Sequence, residues 1–272
     1  MICRNLLCFT KKFIAMKKVI ISVGFSILFA GFLFVTSHAQ QAATAVNFVV
    51  FEEMVSPSDM AAFSKIQQQT VDLWKKHKFD VPIYCYGTDD NIFYWVIPVE
   101  NFGSIDGIFE KSSAFMKKAK DEDGFDGDKA FRDLSTTRSS VIRWSPDLSY
   151  HPSGNAGQSP AKSYVEWTFC ALRQGHEKEA ADAVKKYIEF YKKVNEPYEW
   201  DIYASTFGYE APMWIIMTRS ESPEAIRKQE GELYKKYSKE LDAMWNEFII
   251  HVRKIDNKTG WYRQNWSINT MP

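Results

Sequence analysis

The chain is poor in the residues that carry most recognisable chemistry. Four cysteines and five histidines are spread over 272 residues, with no two histidines at a metal-binding spacing and no cysteine paired with a nearby histidine. There is no phosphate-cradling glycine loop, because Gly154-Asn155-Ala156-Gly157 sits in a linker and opens no helix. A nucleophile elbow is missing too. The 34 basic and 34 acidic side chains cancel, and no basic cluster exceeds short lysine pairs, which argues against nucleic acid as a partner. With 13 glycines and 10 prolines the chain is neither collagen-like nor disordered by composition. Aromatics are abundant: 20 Phe, 13 Tyr and 9 Trp exceed what a helical bundle needs and point to sheets or to a pocket with aromatic walls.

The apolar run from Val19 to Val35 follows Met16-Lys17-Lys18 and precedes Thr36-Ser37-His38-Ala39. A basic start, a short apolar stretch and a small-x-small end describe a secretory signal peptide over residues 1–39, cut after Ala39, with the fifteen residues before Met16 as an overextended start; the alternative is a membrane anchor, for which about 17 apolar residues is at the lower limit. Cleavage would leave no membrane segment and a secreted or periplasmic protein. It would also remove Arg4, Lys11, Lys12, Lys17 and Lys18 with no acid, so 34 less five leaves 29 basic against 34 acidic residues, a net charge of about −5. Cys3 and Cys8 leave with the leader. Cys85 and Cys170 remain, on strands of different halves, and read as two buried thiols rather than a disulfide framework.

The mature chain repeats itself. Val71-Asp72-Leu73-Trp74-Lys75-Lys76 lies over Ile188-Glu189-Phe190-Tyr191-Lys192-Lys193 at an offset of 117, Ile83-Tyr84 over Ile202-Tyr203 and Trp95-Val96-Ile97 over Trp214-Ile215-Ile216 at 119, and Phe48 to Phe51 over Tyr164 to Trp167 at 116. Each copy reads as strand, helix, hairpin, helix, strand. The first strands are Asn47 to Val55 and Ser163 to Leu172, Ser56-Pro57-Ser58-Asp59 opens the first helix with Pro57 at its first position, the hairpins turn at Asp89-Asp90-Asn91 and Gly208, and Ser222-Pro223-Glu224 opens the last helix. Final strands are expected around Ser140 to Trp144 and Trp261 to Ile268. The units run over 46–144 and 162–268, joined by a linker at 145–161 that is rich in Pro, Gly and Ser.

A βαββαβ unit is the ferredoxin-like motif, an antiparallel sheet with helices on one face, and two units bury the bare faces by packing together. The expected fold is therefore α+β: two tandem βαββαβ ferredoxin-like repeats packed sheet to sheet as an intrachain α+β barrel. This arrangement resembles the dimeric α+β barrel superfamily, which includes antibiotic-monooxygenase-like, NIPSNAP-like and haem-degrading proteins. The resemblance implies a ligand held inside the barrel or between a sheet and its covering helices.

Strand alternation nominates side chains for such a site. On the 116 offset, Phe48, Val50 and Glu52 share the interior face with Tyr164, Glu166 and Thr168, making Glu52 and Glu166 candidate pocket carboxylates; the alternative places them at a strand end and in an ion pair. Trp95 and Trp214 occupy equivalent positions, and Tyr84, Tyr86 and Tyr203 carry hydroxyls that need partners on central strands. His77, within Lys75-Lys76-His77-Lys78, reads as a solvated helix end, His176 as a helix start and His151 as linker. His251 alone has apolar neighbours, and the resemblance to haem-binding barrels makes it the residue an axial ligand would require. Asp121 to Asp128 reads as a solvated acidic loop, because an EF-hand register starting at Asp121 puts Arg132 where the bidentate glutamate belongs.

The functional expectation is an exported barrel, monomer or homodimer, that binds a small apolar or aromatic molecule with no metal, cofactor or assignable reaction. One alternative is a cofactor-independent monooxygenase or isomerase that uses Glu166 or a tyrosine as acid or base. Another is haem binding through His251. A structural or partner-binding role lies beneath all three.

Overall fold

Thirteen helices and strands alternate twice in the order strand, helix, strand, strand, helix, strand. A computed structural model describes residues 47–152 and 162–270, so the expected leader, the start of the first repeat at residue 46 and residues 153–161 of the linker lie outside the described residues. The first repeat comprises β1 (Asn47–Val55), α1 (Met60–Lys76), β2 (Tyr84–Thr88), β3 (Ile92–Val99), α2 (Ser104–Asp123), the single turn α3 (Gly127–Ala130) and β4 (Ser135–Trp144). The second comprises β5 (Tyr164–Leu172), α4 (Glu177–Val194), β6 (Asp201–Phe207), β7 (Met213–Ser220), α5 (Pro223–Ile249) and β8 (Val252–Tyr262).

Local chemistry accounts for most boundaries. The Ser222 hydroxyl accepts from Ala225 N at 3.1 Å with Pro223 at the first helical position, as a cap at Ser222 requires. Gly124, at φ +67°, ends α2 in the left-handed region. Three boundaries differ from expectation, the first being β4, which begins at Ser135, five residues early. Ser56-Pro57-Ser58 forms a turn ahead of α1 rather than its first residues, and the final strand begins at Val252, nine residues early, leaving 264–266 as a 3-10 turn and Ile268 bridged to Ile83. The period-2 signal of that strand is weak because β8 is mostly polar on its outer face.

All eight strands join one closed antiparallel barrel in the order β1-β3-β2-β8-β5-β7-β6-β4. Each repeat supplies four neighbouring strands, and two seams join them. Tyr86 to Thr88 pair with Tyr262 to Gly260 at the β2–β8 seam, and Val141 to Trp144 pair with Phe207 to Tyr203, with an irregularity after Val141, at the β4–β6 seam. Closure leaves no unpaired edge. Glycine makes both seams possible. A Cβ on Gly260 would stand 2.3 Å from Gly87 O, and one on Gly208, at φ +89°, 2.3 Å from Ser139 O.

The inner faces meet in an aromatic core. Tyr86 and Tyr94 pack on Trp167 at 5.7 and 5.5 Å between ring centres, with Val50, Ile142, Phe169, Ile215 and Met217 around them. The outer faces take the helices in two further cores, α1 over Cys85, Phe93 and Trp95, and α4 with α5 over Cys170, Ile202 and Trp214. Cys85 and Cys170 are buried free thiols. Leu148 and Tyr150, from the stretch read as linker, belong to the second helical core, where Tyr150 pairs with Trp200. No helix among the described residues is long and apolar enough to cross a membrane.

One register differs from the reading by internal repeat. Phe51 pairs with Trp95 and Cys170 with Trp214; because the two tryptophans are equivalent, β1 and β5 correspond at 119, not 116. Three residues is an odd shift, and an odd shift exchanges the faces of a strand. Phe48, Val50 and Glu52 do face the barrel interior, but their counterparts on β5 are Trp167, Phe169 and Ala171, and Val165, Trp167 and Phe169 share the inner core with Val50. Tyr164, Glu166 and Thr168 face the helices instead.

Candidate functional site

The face exchange places Glu166 at the edge of a cleft of about 620 Å³ between the sheet of the second repeat and α4 and α5. Thr168, Ile202, Ile216 and Thr218 form its floor, Tyr187 and Tyr191 of α4 one wall, and Leu241, Trp245 and Phe248 of α5 the other, with Tyr198 and Trp200 closing one end. Helix α5 is not continuous along this cleft. Tyr237 leaves helical dihedrals at φ −136°, ψ 29°, and the break is spanned by the Tyr234 hydroxyl, which donates to the Asp242 carboxylate at 3.1 Å. Gly231, before the break, adds no side chain to the space, and a Cβ built on it meets nothing within 4 Å.

The rim is polar and tied together. Arg227 donates to Glu166 at 2.6 Å and to Glu230 at 2.5 Å, while Tyr164 donates to Glu166 at 2.9 Å and Tyr198 to Glu230 at 3.1 Å. Two carboxylates against one guanidinium leave the mouth about one negative charge. Inside, burial pushes the phenols of Tyr187, Tyr191 and Tyr198 well above their ordinary range, so they stay neutral donors. A cleft of this size with apolar walls and a few polar groups has the character of a small-molecule site.

The other sequence-nominated residues lie elsewhere. Trp95 lines a smaller cavity of about 280 Å³ in the first repeat and donates through Nε1 to Glu53 at 3.0 Å. Trp214 is packed in the core under α4 and α5, stacked on Phe248. Glu52 is only 1% exposed inside the barrel, near one end, where Arg138 donates to it at 2.5 Å and the Tyr209 hydroxyl also binds it. Tyr84, Tyr86 and Tyr203 are in the barrel core. Tyr86 and Tyr203 flank Arg219, whose guanidinium is bound to Asp201, and His151 and Trp144 each donate or share a hydrogen bond with Asp201 at 2.9 Å. Burial raises Tyr86 to about 12. Neither Glu52 nor these tyrosines line either of these two clefts, because they point to the inner side of the sheet and both clefts lie between the sheet and the helices.

Reasoning from sequence missed Glu53, Gln67, Arg227 and Glu230. Only Glu53 combines a cavity position with a carboxyl raised by burial, against the lowering effect of its hydrogen bonds from Ser135 and Trp95. An acidic pair on β1 was visible; which of the two faced which layer was the available signal. His77 also departs from expectation: its side chain is 5% exposed and Nε2 lies 2.6 Å from Asp123 Oδ2, because α2 packs its C-terminus against that of α1.

Haem does not fit the cleft between α4, α5 and the sheet. His251 lies beyond the end of α5 with Nδ1 3.0 Å from His176 Nδ1, and lines neither cleft. No histidine, cysteine or methionine lines the α4–α5 cleft, the phenols there are held neutral, and a net negative rim disfavours propionates. Among the described residues no group of three metal-ligating side chains occurs.

No protein-family model matches the chain, and no curated protein matches it. Solved structures do. An anthrone oxidase-like protein superposes with a TM-score of 0.53 at 11% identity over 83% of this chain and 94% of its own. A candidate monooxygenase of Fusobacterium nucleatum subsp. nucleatum gives 0.50 at 12% identity over 80% and 92%. A mutant chlorite dismutase of Candidatus Nitrospira defluvii gives 0.47 at 12% identity over 81% and 92%. Identities this low speak to fold alone. The closed eight-stranded barrel of two βαββαβ repeats, together with the first two of these superpositions, establishes that this chain has the dimeric α+β barrel fold, with both halves supplied by one polypeptide.

Proposed function

We propose that this protein is an exported carrier or sensor of a flat, largely apolar small molecule, neutral or cationic, held in the cleft between α4, α5 and the second-repeat sheet. The observation that carries the reading is the aromatic-walled space of about 620 Å³ behind a rim with two carboxylates and one guanidinium. Aromatic faces attract apolar rings and organic cations alike, and the rim charge works against anions. The oxygenase or isomerase alternative asks for a carboxylate free to move a proton in this cleft, and Glu166 is committed to Arg227 and Tyr164. Export rests on the leader pattern at 1–39. N-terminal sequencing of the protein from its own host should read Gln40 first, and an intact leader would refute export. The barrel closes within one chain, so a monomer suffices for the cleft.

Two dyes of one skeleton test the site. N-phenyl-1-naphthylamine, which is neutral, is expected to gain fluorescence on binding, and its sulfonated analogue 1-anilinonaphthalene-8-sulfonate to bind several-fold more weakly. Gly231→Trp, which projects an indole into the cleft from open space, should abolish uptake of the neutral dye without lowering Tm. Equal binding by the variant, or preference for the sulfonate, would refute this assignment.

A further inference from the structure

The two repeats share a fold but not a cavity. In the first repeat the space between the sheet and α1 and α2 is reduced to about 280 Å³, walled by Trp74, Trp95, Phe79, Phe115, Met116 and Phe131. Two polar groups set it apart from an ordinary packing gap. Gln67, on the inner face of α1, is 4% exposed, lines the space, and its Nε2 has no hydrogen-bond partner. A buried amide N–H without a partner is uncommon because nothing offsets its loss of water. Opposite in kind is Glu53, whose two oxygens accept one hydrogen bond each, from Ser135 at 2.7 Å and Trp95 at 3.0 Å, and keep further acceptor capacity.

We infer that this cavity is a second binding site, distinct from the cleft under α5, for a compact neutral molecule of one or two rings whose carbonyl accepts from the Gln67 amide. Size fixes the scale: roughly 150 Å³ of apolar cavity holds benzene, and a water takes about 30 Å³, so 280 Å³ admits a substituted ring but not a haem or a long chain. Chemistry fixes the polarity. No lysine, arginine or histidine lines the cavity to receive an anion, and an unpaired charge among aromatic walls is strongly disfavoured. A hydroxyl or amide N–H on the same molecule would find Glu53. The pair is specific to this repeat, because Leu172 stands where Glu53 does at the strand offset of 119, and Val184 where Gln67 does at the helix offset of 117.

Acetophenone and α-methylstyrene have the same shape and differ only in whether an oxygen or a methylene is presented. Ligand-observed saturation-transfer NMR in the Gly231→Trp background, in which the α5 cleft is blocked, isolates the first repeat. Acetophenone should bind about tenfold more tightly than α-methylstyrene, the scale of one buried hydrogen bond that would otherwise go unmade. Gln67→Met keeps the volume and removes the donor: it should equalise the two probes while α-methylstyrene still binds, which also shows that the cavity is intact. Ser112→Leu, which fills the wall from α2, should displace both. Equal affinities in the parent, an acetophenone preference that survives Gln67→Met, or binding of neither probe would overturn the site, while the naphthylamine result at the other cleft would stand or fall separately.

Discussion

Removing the guanidinium of Arg219 should destabilise the barrel far more than removing the ion pair as a whole. Arg219 on β7 and Asp201 on β6 are paired within the barrel, with side chains 13% and 7% exposed. Burial acts to raise the Asp201 carboxyl, but the His151 hydrogen bond and the Arg219 charge more than offset it and hold it at about 2, below the ordinary 3.8. A depression of that size corresponds to about 2 kcal/mol of stability, present above pH 4 and lost as the pH falls through the folded value near 2. In Arg219→Met the carboxylate stays buried with only His151 and Trp144 beside it. The expected cost is about 3–5 kcal/mol at pH 7, a fall in Tm of about 10 °C for a chain of this length, shrinking toward pH 4 as the stranded carboxyl takes a proton. Asp201→Leu combined with Arg219→Met should recover most of the loss, because no charge is left to desolvate. Urea unfolding followed by tryptophan fluorescence from pH 4 to 8 measures both. A single variant that costs under about 1 kcal/mol at pH 7, or a double variant no more stable than the single, would show that Asp201 is hydrated in solution and the reasoning wrong.

Gly260→Ala should open the β2–β8 seam, since its Cβ would meet Gly87 O and Thr88 Cα at 2.3 and 2.7 Å; a loss of about 2–4 kcal/mol in urea midpoint analysis is expected, and a neutral result would mean that the seam is loose. Gly231→Ala, in open space on α5, serves as its control and should stabilise by up to about 1 kcal/mol. Cys85 and Cys170 are buried with thiols raised by desolvation, so Ellman's reagent should find none in the native mature protein and two after unfolding; rapid native labelling would contradict their burial. Haemin titration should give no Soret shift dependent on His251, and His251→Ala should change nothing in that titration; a stoichiometric, His251-dependent Soret band would show that this histidine ligates haem after all.

Local patterns carried most of the element list. Pro223 after Ser222, the turns at Asp89 to Asn91 and Gly208, and β-branched strands are short-range signals whose physics lies within a few residues. The site was less legible because its residues signal nothing alone. Glu52 and Glu53 are adjacent and alike; only the sheet decides that the first meets Arg138 inside the barrel and the second Trp95 in a cavity. Gln67 sits on α1 among Phe63, Thr70 and Val71 and breaks the apolar stripe without naming a ligand. His77 looked solvated among lysines because its partner Asp123 is 46 residues away.

The sequence by itself determined the two βαββαβ units, their equivalence, and the fold class, because propensity, capping and alternation are properties of neighbouring residues. Tertiary structure decided the rest. Pairing of Cys170 with Trp214 set the parity of β5 and sent Glu166 to the helix side, since a strand's two faces differ by a single residue of register. The cleft of the second repeat lies along the broken helix α5 beside the bare Gly231, while aromatic packing walls the smaller cavity of the first around Gln67. A duplicated sequence therefore holds two unlike sites, because a cavity is what packing leaves over, and that depends on every side chain around it at once.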